Sequence, residues 1–255
     1  MSLDPRLVAQ LRVRPRDWSA WLVLADWLTE HNDERGELVR LRHRLATEPL
    51  TATNSWELRE LVLEREAEIT VAFAATVGSV EGVRLDWQDG FVVSTRVTAI
   101  EPATRDFVEG LDGHPAVLFD ERTLAPRGPV GVHSWLQHAK MFRFTRLALS
   151  GQRLTPYEVA AMAECEALAG VWWLDLSGNP IEDAGVGYLV EASWFGDLTW
   201  LDLEECQIQL VGATRLVRAA DAGAMGTLIL RRNPFTPSRL PFRSPEAVAT
   251  TTVIV

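Results

Sequence analysis

Two copies of one tripeptide, Trp173-Leu174-Asp175 and Trp200-Leu201-Asp202, stand in this sequence. They are the residues best suited to chemistry, and that chemistry is recognition. Aromatic side chains are the usual anchors of protein interfaces, and acids beside them suit a basic partner segment. Catalytic patterns are missing by comparison. The single lysine, Lys140, follows no glycine-rich run, so no phosphate loop can be written. Gly185-Val186-Gly187 is a fragment of a dinucleotide fingerprint, but it lies inside an expected helix rather than at a strand-to-helix turn. Ser150-Gly151 and Ser177-Gly178 occupy equivalent turns and do not form a nucleophile elbow. His133 and His138 are five apart and fall on different sides of a helix, while His31, His43 and His114 have no partner at ligand spacing. Glu204 and Glu205 are adjacent, so their carboxylates are expected to diverge. No convergent acid, base and nucleophile can be assembled, and a non-enzymatic protein without cofactor or metal is expected.

What must position the tripeptides is a repeat of constant period. Phe144, Leu147, Leu149, Gln152 and Leu154 recur as Val171, Leu174, Leu176, Asn179 and Ile181. At the same interval they recur again as Leu198, Leu201, Leu203, Cys206 and Ile208, and a fourth time as Met225, Leu228, Leu230, Asn233 and Phe235. The two central apolar residues are two apart, so on a strand they share one face and point inward. The Asn or Cys three residues later sits where the chain leaves the strand, and can satisfy backbone groups that the turn leaves unpaired. The period also holds between these positions. Met162, Leu189 and Leu216 superpose, as do Cys165, Ala192 and Ala219, three residues further on as along one face of a helix. Thr155-Pro156-Tyr157-Glu158 reads as a capping box with proline at the first helical position.

Each copy reads L-x-x-L-x-L-x-x-N/C-x-L, and the stretch from Phe144 to Phe235 therefore resembles the leucine-rich repeats. The resemblance implies an α/β solenoid, with parallel strands on a concave face and helices on a convex one. Alternation then sends three rows of side chains outward on the concave face. They are Arg146, Trp173, Trp200 and Thr227; Ala148, Asp175, Asp202 and Ile229; and Ser150, Ser177, Glu204 and Arg231. Trp172 falls on the inward side and is expected in the core, as are the thiols of Cys165 and Cys206.

The formal charge of −10 argues against a nucleic-acid backbone or an anionic membrane as the main partner. Residues 1–48 are balanced, eight arginines against eight acids, so the acidity lies beyond them. Arg35, Arg40, Arg42 and Arg44 read as a solvated helix face. Two cysteines exclude a disulfide framework. No signal core and no run of about 18 apolar residues is present, so a cytoplasmic location is expected.

Before the repeats, helices are expected over 5–13, from Asp17 with Trp18, Trp21, Leu22, Ala25 and Leu28 on one stripe, and after the Asn32-Asp33 turn. The residues Leu22-Val23-Leu24-Ala25-Asp26-Trp27-Leu28, Glu30-His31-Asn32-Asp33 and Arg35-Gly36-Glu37-Leu38-Val39-Arg40-Leu41 resemble the bacterial repeat-companion domain, a small module at the N-terminus of leucine-rich-repeat proteins. Asn32 stands where that pattern usually has glycine. Asn54 or Ser55 should cap a long helix running to about Thr76, and Asp89-Gly90 a hairpin between 83–87 and 91–97. Degenerate repeats are expected over 98–143: a helix at 103–111, a strand at 116–120, a loop at 121–131 and a helix at 132–141. Thr250 to Val255 reads as a strand that pairs with, or covers, the last repeat.

The expected organisation is a companion domain at 1–50, a linking helix at 51–80, a cap with degenerate repeats at 81–143, four repeats at 144–235 and a capping tail at 236–255. The expected function is protein–protein interaction through Trp173, Trp200, Asp175, Asp202, Glu204 and Ile229, with Arg146, Arg231 and Arg232 orienting the partner. The alternative places partner binding on the helical domain through Arg35, Arg40 and Arg44, with the repeats as spacer or self-association surface.

Overall fold

The computed structural model describes residues 3–13, 17–49, 52–99, 101–112, 114, 116–126, 136, 144–223, 225–240 and 251–255. It is a mixed α/β fold with a mostly parallel sheet, and its contacts divide the chain into two units. Unit 1 is Met1–Thr95 with Asp106–Asp120, and unit 2 is Arg96–Arg105 with Glu121–Val255. Among the described residues no helix is long and apolar enough to cross a membrane.

Unit 1 begins with α1 (Pro5–Val13), α2 (Trp18–Glu30), α3 (Arg35–Thr47) and α4 (Ala52–Val77). Asp17 caps α2 by accepting from the Ser19 amide at 3.0 Å, and Asn32 turns the chain into α3 with a positive φ of 56°. Leu11, Ala20, Trp21, Leu24, Leu28 and Val39 fill one core with Phe91 and Leu118. Leu38, Leu41, Leu58, Val62 and Ile69 fill a second, so α4, which reads as a linker, packs on α3. Gly36 lets α3 approach α2 closely: a Cβ there would stand 2.6 Å from the Ala25 carbonyl oxygen.

α4 starts at Ala52, ahead of the expected caps, and Asn54 and Ser55 lie in its first turn. Amides in a first turn have no intrahelical partner, so polar residues cost little there and need not mark the boundary. Then come β1 (Val83–Gln88) and β2 (Phe91–Val97), with Asp89 and Gly90 both at positive φ in the two-residue turn.

α5 (Pro102–Gly110) falls where a helix is expected. β3 runs over Val117–Leu124, where a strand is expected to 120, and continues through residues 121–124, where a loop is expected. Arg122, Thr123 and Leu124 are buried, and Thr123 and Leu124 pair with Arg146 and Leu147 of the next strand. Strand pairing overrides local polarity. The rest of the expected loop beyond 126, and the expected helix at 132–141 apart from Leu136, lie outside the described residues, as do His133 and His138.

Unit 2 continues as β4 (Arg146–Ala148), α6 (Pro156–Ala163), β5 (Trp173–Asp175), α7 (Glu182–Glu191), β6 (Trp200–Asp202), α8 (Leu210–Ala222), β7 (Thr227–Ile229) and β8 (Thr252–Ile254). The strands are hydrogen-bonded in chain order. From β4 to β8 all pairs are parallel, with Leu147, Leu174, Leu201, Leu228 and Val253 in one register line. The four leucines are buried, and so are Met162, Leu189 and Leu216 from the helices.

The turn positions behave as their chemistry demands. Asn179 donates to the carbonyls of Leu149 and Leu176 at 2.8 and 2.7 Å and accepts from the Leu154 amide at 3.0 Å. Asn233 repeats this toward Leu203, Leu230, Cys206 and Ile208. Cys206 has only a thiol to offer, which donates to the Leu176 carbonyl at 3.1 Å. Burial pushes that thiol up to about 12, so it is unreactive.

Two expectations of burial fail. Trp172 is half-buried because the regular strand starts one residue after it, where alternation has not begun. Cys165 is half-buried because α6 ends at Ala163 and the chain has turned into a short 3-10 helix.

Candidate functional site

The site is the outward face of the unit 2 strands. Because each strand is only three residues long, its first and third side chains emerge on either side of a buried leucine. Register then aligns Arg146 with Trp173, Trp200, Thr227 and Thr252, and Ala148 with Asp175, Asp202, Ile229 and Ile254. All the expected site residues of these two rows are half-buried, while Arg231 is exposed and Glu204 half-buried in the third.

Trp173 and Trp200 form a near-parallel stack, with ring centroids 4.4 Å apart and an interplanar angle of 7°. Parallel strands lie about 4.8 Å apart, so two indoles in register meet at stacking distance. Arg146 closes one end, its guanidinium carbon 4.5 Å from the Trp173 centroid and 5.5 Å from that of Trp172. The column therefore reads Arg146, Trp173, Trp200.

The acids beside it are held by their own strand ends. Asp175 accepts from the Ser177 amide and hydroxyl at 3.0 and 2.7 Å, and Asp202 accepts from the Glu204 amide at 2.8 Å. Burial raises the Asp202 carboxyl above its ordinary range against the pull of that amide, and the charges of Asp175 and Glu204 raise it further.

The flanking arginines differ in availability. Arg146 is already engaged, with Glu121 at 3.7 Å as well as the rings. Arg232 reaches both Glu204 at 3.4 Å and Glu205 at 2.9 Å, so these adjacent acids do not diverge. Glu205 has a left-handed φ of 55°, which turns the chain there. Glu121, Thr252 and Ile254 are members of this surface that lie outside the repeat pattern. The steps from Thr123 to Arg146 and from Thr227 to Thr252 are both shorter than the step from Trp173 to Trp200, so β3 and β8 fall off the repeat period.

In unit 1 the arginine run is spent internally. Arg35 is fully buried, donating to Asp33 at 2.9 and 2.5 Å, with its guanidinium 4.1 and 4.2 Å from the Phe73 and Phe91 centroids. It is not a solvated side chain, because two aromatic rings and a carboxylate replace its water. Arg40 pairs with Asp26 and Arg44 with Glu48. Arg42 pairs with Glu66 at 2.6 Å and with Asp89. Trp18, Trp21, Val39, Leu45, Arg42 and Asp89 line a cavity of about 440 Å³ within this unit.

The described histidines serve local structure. His31 stacks on Trp27, His43 packs edge-on against Trp18, and the His114 ring accepts from the Ala116 amide. Gly185 and Gly187 lie in α7, and Ser150 and Ser177 sit on adjoining turns with hydroxyls 2.9 Å apart. Among the described residues no three His, Cys, Asp or Glu side chains converge as a metal site requires. Compared with protein-family models and with curated proteins, the sequence matches none.

Proposed function

We propose that unit 2 is a leucine-rich-repeat solenoid whose concave sheet face docks a protein partner through a basic segment, without catalysis. The observation that carries this reading is the half-exposed Trp173–Trp200 stack with Asp175 and Asp202 in the adjoining row. Flat aromatic area costs little entropy to present, and the Asp202 carboxyl, raised by burial, gains from a cation. Ile229 and Ile254 add apolar area beside the acids. Unit 1 corresponds in this reading to the repeat-companion domain, and the protein acts as an adaptor in the cytoplasm.

The test is affinity capture from the native host with the intact chain and with Trp173→Ala plus Trp200→Ala, checking the fold by circular dichroism. Loss of one captured protein from a folded double variant supports concave docking. Retention of every captured protein sinks it.

A second reading places partner binding on the helical unit. It is favoured by the Trp18 and Trp21 cavity and by Trp56, Leu63 and Val71 along α4, which are 63, 64 and 70 % exposed. Arg35 drops out of that reading because it is buried. Capture lost on Trp56→Glu plus Val71→Glu, but kept in the double tryptophan variant, selects this unit instead.

A further inference from the structure

Arg146 shows how a cation sits on this surface. Its guanidinium lies against one plate of a two-plate stack, at 4.5 Å from Trp173, in the row of side chains that runs on through Trp200, Thr227 and Thr252. One face of Trp200 is covered by Trp173 at 4.4 Å. Its other face looks along the row to Thr227, a side chain too short to reach stacking height, and beyond it to Thr252. Among the described residues no ring or guanidinium lies over that face. The row thus steps down from indole to threonine and leaves a notch one strand wide, about the thickness of a planar group.

Asp202 stands beside the notch, two residues along the same strand as Trp200, with Ile229 on the neighbouring strand. Its Oδ1 accepts from the Glu204 amide. Among the described residues its Oδ2 takes part in no hydrogen bond or ion pair; nor does Oδ2 of Asp175, whose Oδ1 takes both bonds from Ser177, whereas Glu204 is held by Arg232. Of the two open aspartate oxygens, that of Asp202 is the one beside the notch, because Asp202 pairs with Ile229 just as Trp200 pairs with Thr227. Arg231, exposed, is the nearby cation that acts on Asp202 electrostatically, without pairing to it.

We infer that the notch is a guanidinium subsite, in which an arginine side chain of the protein partner stacks on the outer face of Trp200 and donates to Asp202. This rests on the docking reading above and adds the identity of the anchoring residue. Arginine fits better than lysine for two reasons. Its planar fork lies flat on an indole while still presenting donors edge-on to a carboxylate, and it sheds water more easily than an ammonium. The finished column would be symmetrical, with the chain's own Arg146 at one end and the partner's arginine at the other.

The experiment is a titration of the intact, nitrogen-15-labelled chain with two capped glycine-spaced peptides, one carrying arginines and the other lysines at the same positions. The Trp200 indole N–H, assigned with Trp200→Phe, is expected to shift with the arginine peptide, at an affinity about tenfold above that of the lysine peptide. Asp202→Asn should weaken the arginine response, and Thr227→Trp, which fills the notch with a third plate, should abolish it in a protein of unchanged circular dichroism. Equal response to the two peptides, or an arginine response indifferent to Thr227→Trp, overturns the subsite. If the subsite fails while Trp173→Ala plus Trp200→Ala still releases the captured protein, the docking surface stands without its arginine anchor. If that double variant retains its protein, the docking reading itself falls, whatever the peptides do.

Discussion

The protein places an arginine guanidinium on aromatic rings in two regions, and the two sites differ in almost everything else. Arg35 in unit 1 is fully buried between Phe73 and Phe91 and gripped by Asp33, whereas Arg146 in unit 2 caps the Trp173–Trp200 stack at the surface, 32 % of its side chain exposed. Aromatic stacking by itself thus says nothing about role. Burial does: a charge removed from water is tied to every group that replaces its hydration, while a half-solvated one can exchange partners.

Four measurements would break or sharpen that contrast. Arg35→Ala leaves the Asp33 carboxylate buried without its partner, and should cost about 3–5 kcal/mol in urea denaturation followed by tryptophan fluorescence. Arg35→Lys should recover little, because an ammonium cannot lie flat between two rings while forking to Asp33. A loss under about 1 kcal/mol would place Arg35 with Arg146, among the dispensable cations.

Asn179 tests whether burial also ranks polar groups within unit 2. Asn179→Ala strips partners from the Leu149 and Leu176 carbonyls and the Leu154 amide, and should cost at least about 2 kcal/mol by the same denaturation. Asn233→Ala, at a half-exposed position near the end of the repeats, should cost less, since water can take over some of its bonds. Equal losses would mean exposure does not set the scale.

Trp173→Ala removes the central plate of the surface column and both its contacts. The expected loss is about 1 to 2 kcal/mol, below that of Arg35→Ala, with the strand register intact by circular dichroism. A loss matching Arg35→Ala would make the column a structural spine instead of a presented surface.

The smallest effect is expected at Asp202. Its folded carboxyl is raised, chiefly by burial, so the folded protein favours the protonated form. The stability this contributes is fully present below the unfolded carboxyl's range and is lost as pH rises through the folded one. Asp202→Asn should therefore stabilise the protein near neutral pH by less than about 1 kcal/mol, with the gain vanishing toward pH 4. Thermal melts of both proteins across that range check it, and a destabilising substitution at neutral pH would show that Asp202 is already paired.

Most of unit 2's strands and helices could be read from periodicity because each repeat presents the same residues to the same neighbours. β3 and β8 lie off that period, joining the sheet at shorter steps: β8 was legible from the run Thr250 to Val255, of which Thr252 to Ile254 do pair with the last repeat strand, whereas β3 was legible only over 116–120, short of its end at Leu124. Glu121 was hidden for the same reason, and its part in holding Arg146 follows only from strand pairing. In unit 1 the helices were legible from their caps and apolar stripes. The fate of Arg35 was not: Phe73 near the end of α4 and Phe91 at the start of β2 lie in other elements far along the chain, beyond any local pattern.

By itself the amino-acid sequence determined which side chains share a face. A period of two along a strand, and one constant interval between strands, leave Trp173, Trp200, Asp175 and Asp202 only one side of the sheet once the leucines are buried. The tertiary structure alone decided what those side chains do there: that the indoles lie flat on each other, that one end of the stack is taken by Arg146, and that the other opens onto a threonine. The physical reason is that facing is set by backbone geometry, which a sequence pattern encodes. Contact and exposure are set by whichever distant residues fold alongside, and their spacing follows no period.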